Sequence, residues 1–135
     1  MAIQQLTAFV ENRRGRLVEL TRLLAAAGVD LRALSIADTQ EFGILRAIVS
    51  DTPKAMDILR RSGVLVKSTP VVGVRLTDRP GELSLALAAL DEAGINVEYL
   101  YAFLAVTPGV ADLVLRVQDN DAAERVLREA GFEII

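Results

Sequence analysis

The chain contains neither cysteine nor histidine among its 135 residues. Without these residue types it can form no disulfide, no thiol nucleophile, no Ser-His-Asp triad and almost no zinc site. A metal site built only from oxygen ligands would remain possible, but no carboxylates are clustered at a suitable spacing in the sequence. We therefore expect no metal, no cofactor and no catalytic residue, and we expect the chain not to be an enzyme.

Lysine is also scarce, occurring only as Lys54 and Lys67, and the net charge is −3. Nucleic-acid binding normally requires a basic face, which this composition disfavours. The apolar runs are much shorter than the ~20 residues that a membrane helix needs. The first four residues lack the basic start and apolar core of a signal peptide. These features predict a cytoplasmic protein that binds neither nucleic acid nor a membrane.

The chain is rich in core-forming residues and contains an internal repeat. Hydrophobic residues make up 52% of the chain and the mean hydropathy is +0.36, which argues against disorder. The segment Glu11-Asn12-Arg13-Arg14-Gly15-Arg16-Leu17 returns as Thr77-Asp78-Arg79-Pro80-Gly81-Glu82-Leu83, and Ala27-Gly28-Val29-Asp30-Leu31 returns as Ala93-Gly94-Ile95-Asn96-Val97. Both repeated segments recur at a constant spacing of 66 residues. A constant spacing of this kind predicts two copies of one structural unit.

Each repeat has the pattern strand, helix, strand, strand, helix, strand. In the first repeat, apolar residues alternate over Leu6, Ala8 and Val10, as in a strand, and then recur at helical spacing from Leu17 towards Gly28. Strands are predicted at 64–67 and again at 71–76, at the junction of the repeats. The pattern is the ferredoxin-like βαββαβ motif, an α+β fold with two helices on one face of an antiparallel sheet. It predicts one domain over residues 1–69 and a second over residues 70–135.

The sheet face opposite the helices, here called the non-helical face, carries several large apolar side chains. By strand alternation they are Phe9, Ile44, Ile48, Tyr99, Tyr101, Phe103 and Val114. A face this apolar is rarely left open to water. We therefore predict that it packs on a second copy in a homodimer. The alternative is that the C-terminal segment or a long side chain covers it.

The loop after the first strand of each repeat is the main candidate site. It is Asn12-Arg13-Arg14-Gly15 in one copy and Asp78-Arg79-Pro80-Gly81 in the other. Glycine permits close approach of a ligand to the backbone, and the start of the next helix offers free N–H groups to a carboxylate. An oxygen of Asn12 or Asp78 could accept a hydrogen bond from an ammonium. The loop could therefore bind a free amino acid; alternatively, Asn12 and Asp78 only cap the helices and the glycines only turn the chain.

The repeated Asn/Asp-Arg-x-Gly-x-Leu loop, its helix and the Ala-Gly exit resemble the ACT domain over the whole chain, as two consecutive copies. ACT domains are regulatory modules that commonly bind amino acids at the seam between two domains, and in many pairs their sheets lie side by side. The resemblance implies ligand contacts from the loop and from the next strand of a neighbouring domain. Carried over by position, these residues are Asn12, Arg13, Arg14, Gly15, Asp30, Leu31, Asp78, Arg79, Pro80, Gly81, Asn96 and Val97. Arg14 stands where the family usually has proline, so the two sites are expected to differ.

The resemblance implies a tandem, non-catalytic regulatory protein that binds an amino acid and changes its association with itself or with an enzyme. A second reading is a regulatory subunit that binds no ligand and docks on an enzyme of amino-acid metabolism. RNA binding is a further alternative, because Tyr99, Tyr101 and Phe103 form a row that could stack on bases. The surrounding positive charge that usually accompanies such stacking is missing.

Overall fold

A computed structural model describes residues 3–38 and 41–135 of the chain. The backbone forms two compact units, one over Gln4–Thr69 and one over Pro70–Ile135, the latter together with Ile3. We call them the N-terminal and C-terminal units. Within the described residues, no helix is long and apolar enough to cross a membrane.

The elements follow the repeated order predicted from the sequence. They are β1 (Ile3–Glu11), α1 (Arg16–Ala26), β2 (Leu31–Asp38), β3 (Phe42–Val49), α2 (Thr52–Arg61), β4 (Leu65–Thr77), α3 (Glu82–Glu92), β5 (Tyr99–Ala102), β6 (Val110–Arg116), α4 (Asn120–Glu129) and β7 (Glu133–Ile134). The turn expected between β2 and β3 lies partly outside the described residues.

Strand β4 differs from the prediction of two short strands at the junction of the repeats. It runs without interruption for 13 residues, from Leu65 to Thr77. Pro70 lies within it, and the fixed φ of proline is compatible with extended backbone even though its missing N–H removes one donor. The first part of β4 therefore belongs to the N-terminal unit and the remainder to the C-terminal unit.

The N-terminal unit is an antiparallel sheet in the order β2-β3-β1-β4. Its helix-facing rows pack against the apolar stripes of α1 and α2 in one core. The core residues include Leu6, Ala8, Val10, Leu20, Leu24, Leu45, Ala47, Val49, Ala55 and Leu59. The alternation along each strand produces this packing, because every second side chain points to the helices.

The C-terminal unit repeats this arrangement with β5 beside β6, β6 beside β4, and β7 on the other edge of β4. Its core contains the counterparts of the N-terminal rows: Val72, Val74, Leu76, Ala86, Leu90, Leu113, Leu115, Val117, Ala123 and Leu127. The structure thus confirms the predicted α+β class and the ferredoxin-like pattern in both units.

The non-helical face is less open than its sequence suggests. Of the seven apolar side chains expected there, Ile48, Tyr101 and Val114 are buried within the single chain, whereas Phe9 remains 38% exposed. The alternative that the C-terminal segment covers part of this face is correct near Gly73. A Cβ built on Gly73 would lie 2.5 Å from Ile3 Cδ1 and 2.8 Å from Ile135 Cγ1. Only part of the face therefore remains available to a partner.

Candidate functional site

The two predicted loops have the same backbone shape. In each copy the residue before the first helix is a glycine in the left-handed region, with φ of 88° at Gly15 and 91° at Gly81. No atom would lie within 4 Å of a Cβ at either position. Glycine is therefore required by the backbone conformation, and the space beside it is open.

Helices α1 and α3 begin without a side-chain cap, in contrast to the other two helices. Asp51 Oδ1 accepts a hydrogen bond of 3.1 Å from Lys54 N at the start of α2. Asp119 Oδ1 likewise accepts one of 3.0 Å from Ala122 N at the start of α4. At α1 and α3 the N-cap residues are the glycines, and no side chain makes a cap hydrogen bond.

The interpretation of Asn12 and Asp78 as helix caps is therefore wrong. Both residues precede the N-cap glycine by three positions, and both are exposed. Their backbone N–H groups donate to Glu41 O and Gly109 O, at 2.9 Å and 3.0 Å respectively, which anchors each loop to a neighbouring hairpin. Neither side chain makes a cap hydrogen bond to the helix that follows it.

The first loop surrounds its arginines with acidic groups. Arg16 is buried, and its Nε lies 2.5 Å from Glu11 Oε2 while its Nη1 lies 3.3 Å from Glu19 Oε2. Arg16 and Glu11 therefore form an ion pair. Arg13 also approaches Glu19, at 3.5 Å. Of the three arginines around the loop, only Arg14 makes no ion pair within the described chain.

The second loop inverts the charge at the start of its helix. Glu82 stands where the first copy has Arg16 and is also buried. Its Oε1 accepts a hydrogen bond of 2.7 Å from Arg79 Nε. A carboxylate in the first turn interacts favourably with the helix dipole, whereas a cation there does not. The two loops therefore share a backbone but present different charges to a ligand.

A leucine follows each of the buried charged residues Arg16 and Glu82, and this leucine is exposed. Leu17 is 44% exposed, although the helical spacing that begins there predicted that it would face the core, and its counterpart Leu83 is 36% exposed. In each copy the first helical residue is buried and the second is exposed. At the start of each helix, the buried position is therefore one residue earlier in the sequence than the apolar pattern suggests.

The predicted strand-start residues do not meet the loop of their own unit. Asp30 and Leu31 follow the far end of α1, and α1 has 11 residues, which corresponds to about 16 Å. The backbone of Asp30 is tied to Ser50, since Asp30 N donates to Ser50 Oγ at 2.9 Å. In the second copy, Asn96 and Val97 precede β5 rather than begin it. The structure therefore does not bring these four residues to the loop of their own unit.

Sequence reasoning missed two cavities, one on the non-helical face of the N-terminal unit and one beside the corresponding strands of the C-terminal unit. One, of about 480 Å³, is lined by Phe9, Glu11, Phe42, Ile44, Gly63 and Leu65. The other, of about 460 Å³, includes Arg75, Thr77, Val110, Gly131 and Glu133 at equivalent positions, but it also extends to Arg79 and to Glu82 and Leu85 of α3. An alignment of the two repeats in sequence, with offsets of 66 residues before the hairpin and 68 residues after it, would have shown which positions correspond.

The two sheets differ at one cross-strand pair beside these cavities. In the N-terminal unit Phe9 is directly opposite Ile44, and in the C-terminal unit Arg75 is directly opposite Asp112. The guanidinium of Arg75 donates to both carboxylate oxygens of Asp112, at 2.8 Å and 2.9 Å. These hydrogen bonds lower the pKa of Asp112. An apolar contact in one copy is thus replaced by a bidentate ion pair in the other.

Two other kinds of site gain no support from the geometry. Among residues 3–38 and 41–135, no group of three or more acidic side chains could hold a metal ion. The row of Tyr99, Tyr101 and Phe103 is not a continuous stacking platform, because Tyr101 is only 7% exposed.

Comparisons with known proteins agree with the observed fold. The family model described as an ACT domain pair matches residues 1–135. A protein of known structure from Bacteroides thetaiotaomicron is 38% identical, with a TM-score of 0.93, and the match covers 100% of this chain and 92% of that one.

More distant structures share the fold. The ligand-free regulatory subunit of aspartate kinase from Thermus thermophilus has 14% identity and a TM-score of 0.70, over 96% of this chain and 93% of that chain. Aspartate kinase from Synechocystis has 18% identity and a TM-score of 0.59, over 96% of this chain and 25% of that chain. A search of curated proteins gives no match. The repeated loop, the paired βαββαβ units and the full-length family match together show that the chain belongs to the ACT domain pair family.

Proposed function

We propose that this chain is a non-catalytic regulatory protein that binds a free amino acid. The ligand would lie at the loop before α1 or α3, and the strand start of a neighbouring ACT unit would complete the site. Binding would change the association of the chain with itself or with an enzyme. Membership of the ACT family supports the regulatory part of the proposal.

The contrast in helix capping is the observation that carries the ligand proposal. An aspartate side chain accepts one N-terminal N–H at α2 and one at α4. At α1 and α3 no side chain accepts one, and only the first helical N–H of each donates to a loop carbonyl, that of Arg13 or Arg79. In both units the first helix lacks a side-chain cap and the second helix has one, so the difference depends on the place of the helix in the fold. Uncapped N–H groups beside open space suit a carboxylate.

The exposed polar residue of each loop would bind the ammonium group of the amino acid. The side chain of Asn12 or Asp78 is exposed and caps no helix, and its oxygen would accept a hydrogen bond from the ammonium group of an amino acid. Hydrogen bonds to charged groups contribute about 1.5–3 kcal/mol. Asp78 also carries a charge, which would favour the ammonium group more strongly than the neutral amide of Asn12.

A thermal-shift screen of the twenty amino acids tests this proposal. A ligand present at 100 times its dissociation constant stabilises the folded state by about 2.7 kcal/mol. We expect one amino acid or one chemical class to raise the melting temperature. Absence of a shift with all twenty, confirmed by calorimetry, would contradict amino-acid binding and favour the ligand-free docking subunit.

The variants Asn12→Ala and Asp78→Ala identify the loop that is used. Because neither side chain caps a helix, each variant should keep its melting temperature without ligand. The variant in the occupied loop should bind about 10- to 100-fold more weakly, the equivalent of one charged hydrogen bond. Arg125→Ala, a change at an exposed position of α4 away from both loops, serves as the control. Unchanged affinity in both loop variants would place the ligand elsewhere.

A further inference from the structure

A small cavity, which we call the loop cavity, opens beside the first loop, between the start of α1 and the helix-facing side of the sheet. Its volume is about 70 Å³. Four apolar side chains line it, namely Val10, Leu17, Ile36 and Leu45. Asn12 and Arg13 of the first loop line it as well. A ligand held by that loop would therefore lie next to an apolar cavity.

The apolar walls of the loop cavity are partly buried and partly open to water. Val10 and Leu45 are buried, whereas Leu17 and Ile36 are each 44% exposed. Cavities that bind small molecules are commonly lined by apolar side chains with a few polar groups that fix the orientation of the ligand. A small apolar group placed here would cover the exposed sides of Leu17 and Ile36, which is favourable in water.

Gly43 leaves space in the loop cavity that a side chain would occupy. It does not adopt the left-handed conformation of Gly15, so its backbone does not require glycine. A Cβ built on Gly43 would lie 3.4 Å from Ile36 Cγ2 and 3.8 Å from Val10 O. The second unit has Ala111 at this position in the same strand register. The fold therefore accepts a methyl group here, and the first unit lacks one beside its loop.

The charged residues that line the loop cavity already have partners. Glu11 Oε2 lies 2.5 Å from Arg16 Nε, and Arg13 Nη2 lies 3.5 Å from Glu19 Oε2. A charged side chain of a ligand would have to compete with these ion pairs, and a polar one would bury a group among apolar walls at a cost. An apolar side chain has neither disadvantage.

We propose that the loop cavity binds the side chain of the amino acid at the first loop, and that this ligand is a small aliphatic amino acid of about the size of valine. The inference rests on the proposed function, because the loop must hold the ammonium and carboxylate groups. A group the size of a water molecule occupies about 30 Å³ in a liquid, so the cavity has room for about two or three such groups. The branched side chain of valine matches this volume, whereas an aromatic ring exceeds it.

Calorimetric titration with glycine, alanine, valine, leucine, phenylalanine and threonine tests the ligand class. We expect the affinity to rise from glycine through alanine to valine by about fourfold for each carbon atom buried, and to fall for phenylalanine. Threonine has the shape of valine but adds a hydroxyl group, and it should bind about 10- to 100-fold more weakly. A preference for a polar, charged or aromatic amino acid would overturn the inference and leave amino-acid binding intact. Absence of binding by all twenty amino acids would overturn both proposals.

Gly43→Ala tests whether the side chain lies in the loop cavity. The variant should fold with an unchanged melting temperature, because the added methyl group makes only ordinary contacts. It should bind valine at least tenfold more weakly, since one carbon atom changes affinity about 10- to 200-fold in an apolar pocket. The reverse exchange in the second unit, Ala111→Gly, is the matched control and should leave the affinity for valine unchanged. An unchanged affinity in folded Gly43→Ala would overturn the inference.

Ile36→Ala keeps the test decisive if Gly43→Ala does not fold. Ile36 is too exposed to support the core, and its truncation enlarges the loop cavity. We expect the preference to move from valine towards leucine, with valine bound about fourfold or more weakly. Asn12→Ala should instead weaken all amino acids by a similar factor, because it removes a contact to the ammonium group. If the order of affinities stays the same in Ile36→Ala while Asn12→Ala still weakens binding, the inference fails and the proposed function stands.

Discussion

The two units of this chain are alike where the fold requires it and different where a partner or ligand could bind. Both use the same helix-facing rows, the same left-handed glycine before the first helix and an aspartate cap on the second helix. They differ at equivalent surface positions, where Phe9 and Ile44 in one unit correspond to Arg75 and Asp112 in the other. Each copy therefore acts as an internal control for the other, which separates residues that build the sheet from residues free to specialise.

Among the predicted differences between the two units, we expect the largest change in the free energy of unfolding at Gly73. Its counterpart in the first repeat is Thr7, a buried side chain that accepts a hydrogen bond from Gln5. A methyl group at Gly73 would instead meet Ile3 and Ile135 at less than normal contact distance. We expect Gly73→Ala to lower the free energy of unfolding by about 1–3 kcal/mol, measured by denaturant titration.

Gly43→Ala is the matched control for Gly73→Ala. Gly43 is also a strand glycine, and its counterpart in the second repeat is Ala111. The nearest atom to a Cβ there would be Ile36 Cγ2, at an ordinary 3.4 Å. This variant should be nearly neutral. A larger loss for Gly43→Ala than for Gly73→Ala would show that the contacts of Ile3 and Ile135 do not limit the space over β4.

Removal of a helix cap should have an intermediate effect on the free energy of unfolding, and this effect should be similar in the two units. Asp51→Ala and Asp119→Ala each remove a carboxylate that accepts a backbone N–H, and each should cost about 0.5–2 kcal/mol. Asn12→Ala and Asp78→Ala remove no cap and should be nearly neutral. Urea unfolding of the four variants measures the difference. A cost at Asp78 as large as that at Asp119 would contradict the uncapped start of α3.

Loss of the Arg75–Asp112 ion pair should have the smallest effect on stability. It concerns only the C-terminal unit, because the N-terminal unit has no such pair at the same position. The folded-state pKa of Asp112 lies below its ordinary value of 3.8, chiefly because Arg75 donates hydrogen bonds to it. The pair therefore stabilises the unit fully above about pH 3.8, and this contribution is lost as the pH falls through the lower folded-state pKa.

Unfolding of the Asp112→Asn variant as a function of pH tests this dependence. The variant should be less stable than the unaltered chain at pH 6, and the difference should shrink as the pH falls below 3.8. A difference that stays constant down to the acid transition would mean that the charge of Asp112 does not contribute. The corresponding pair of Phe9 and Ile44 has no titratable group and should contribute no such dependence.

Much of the fold could be predicted because it depends on local patterns that the repeat displays twice. The alternation over Leu6, Ala8 and Val10 and the aspartates before α2 and α4 are sufficient to place core rows and helix starts. The continuity of β4 was missed because Pro70 suggests a break, although its backbone angle fits a strand. The exposure of Leu17 was missed because buried Arg16 is held by Glu11 and Glu19, which helical periodicity does not reveal.

The candidate site was predictable only in part. The loops could be located because glycine and the following helix lie close together in sequence. Their unequal charge follows from which neighbours pair, such as Arg79 with Glu82, and pairing depends on side-chain positions. The contribution of Asp30, Leu31, Asn96 and Val97 stays a prediction, because these residues lie at the far end of a helix from the loop of their own unit.

The uncapped starts of α1 and α3 have a consequence for the rates at which backbone amides exchange with solvent. Amides that have no acceptor exchange fast, whereas those held by a cap or a ligand are protected. Loop amides in the first copy include that of Arg14, whereas Pro80 at the same position in the second copy has none. The first loop therefore has one more backbone N–H group than the second. Deuterium uptake resolved to this segment would report which of the two loops is filled first as ligand is added.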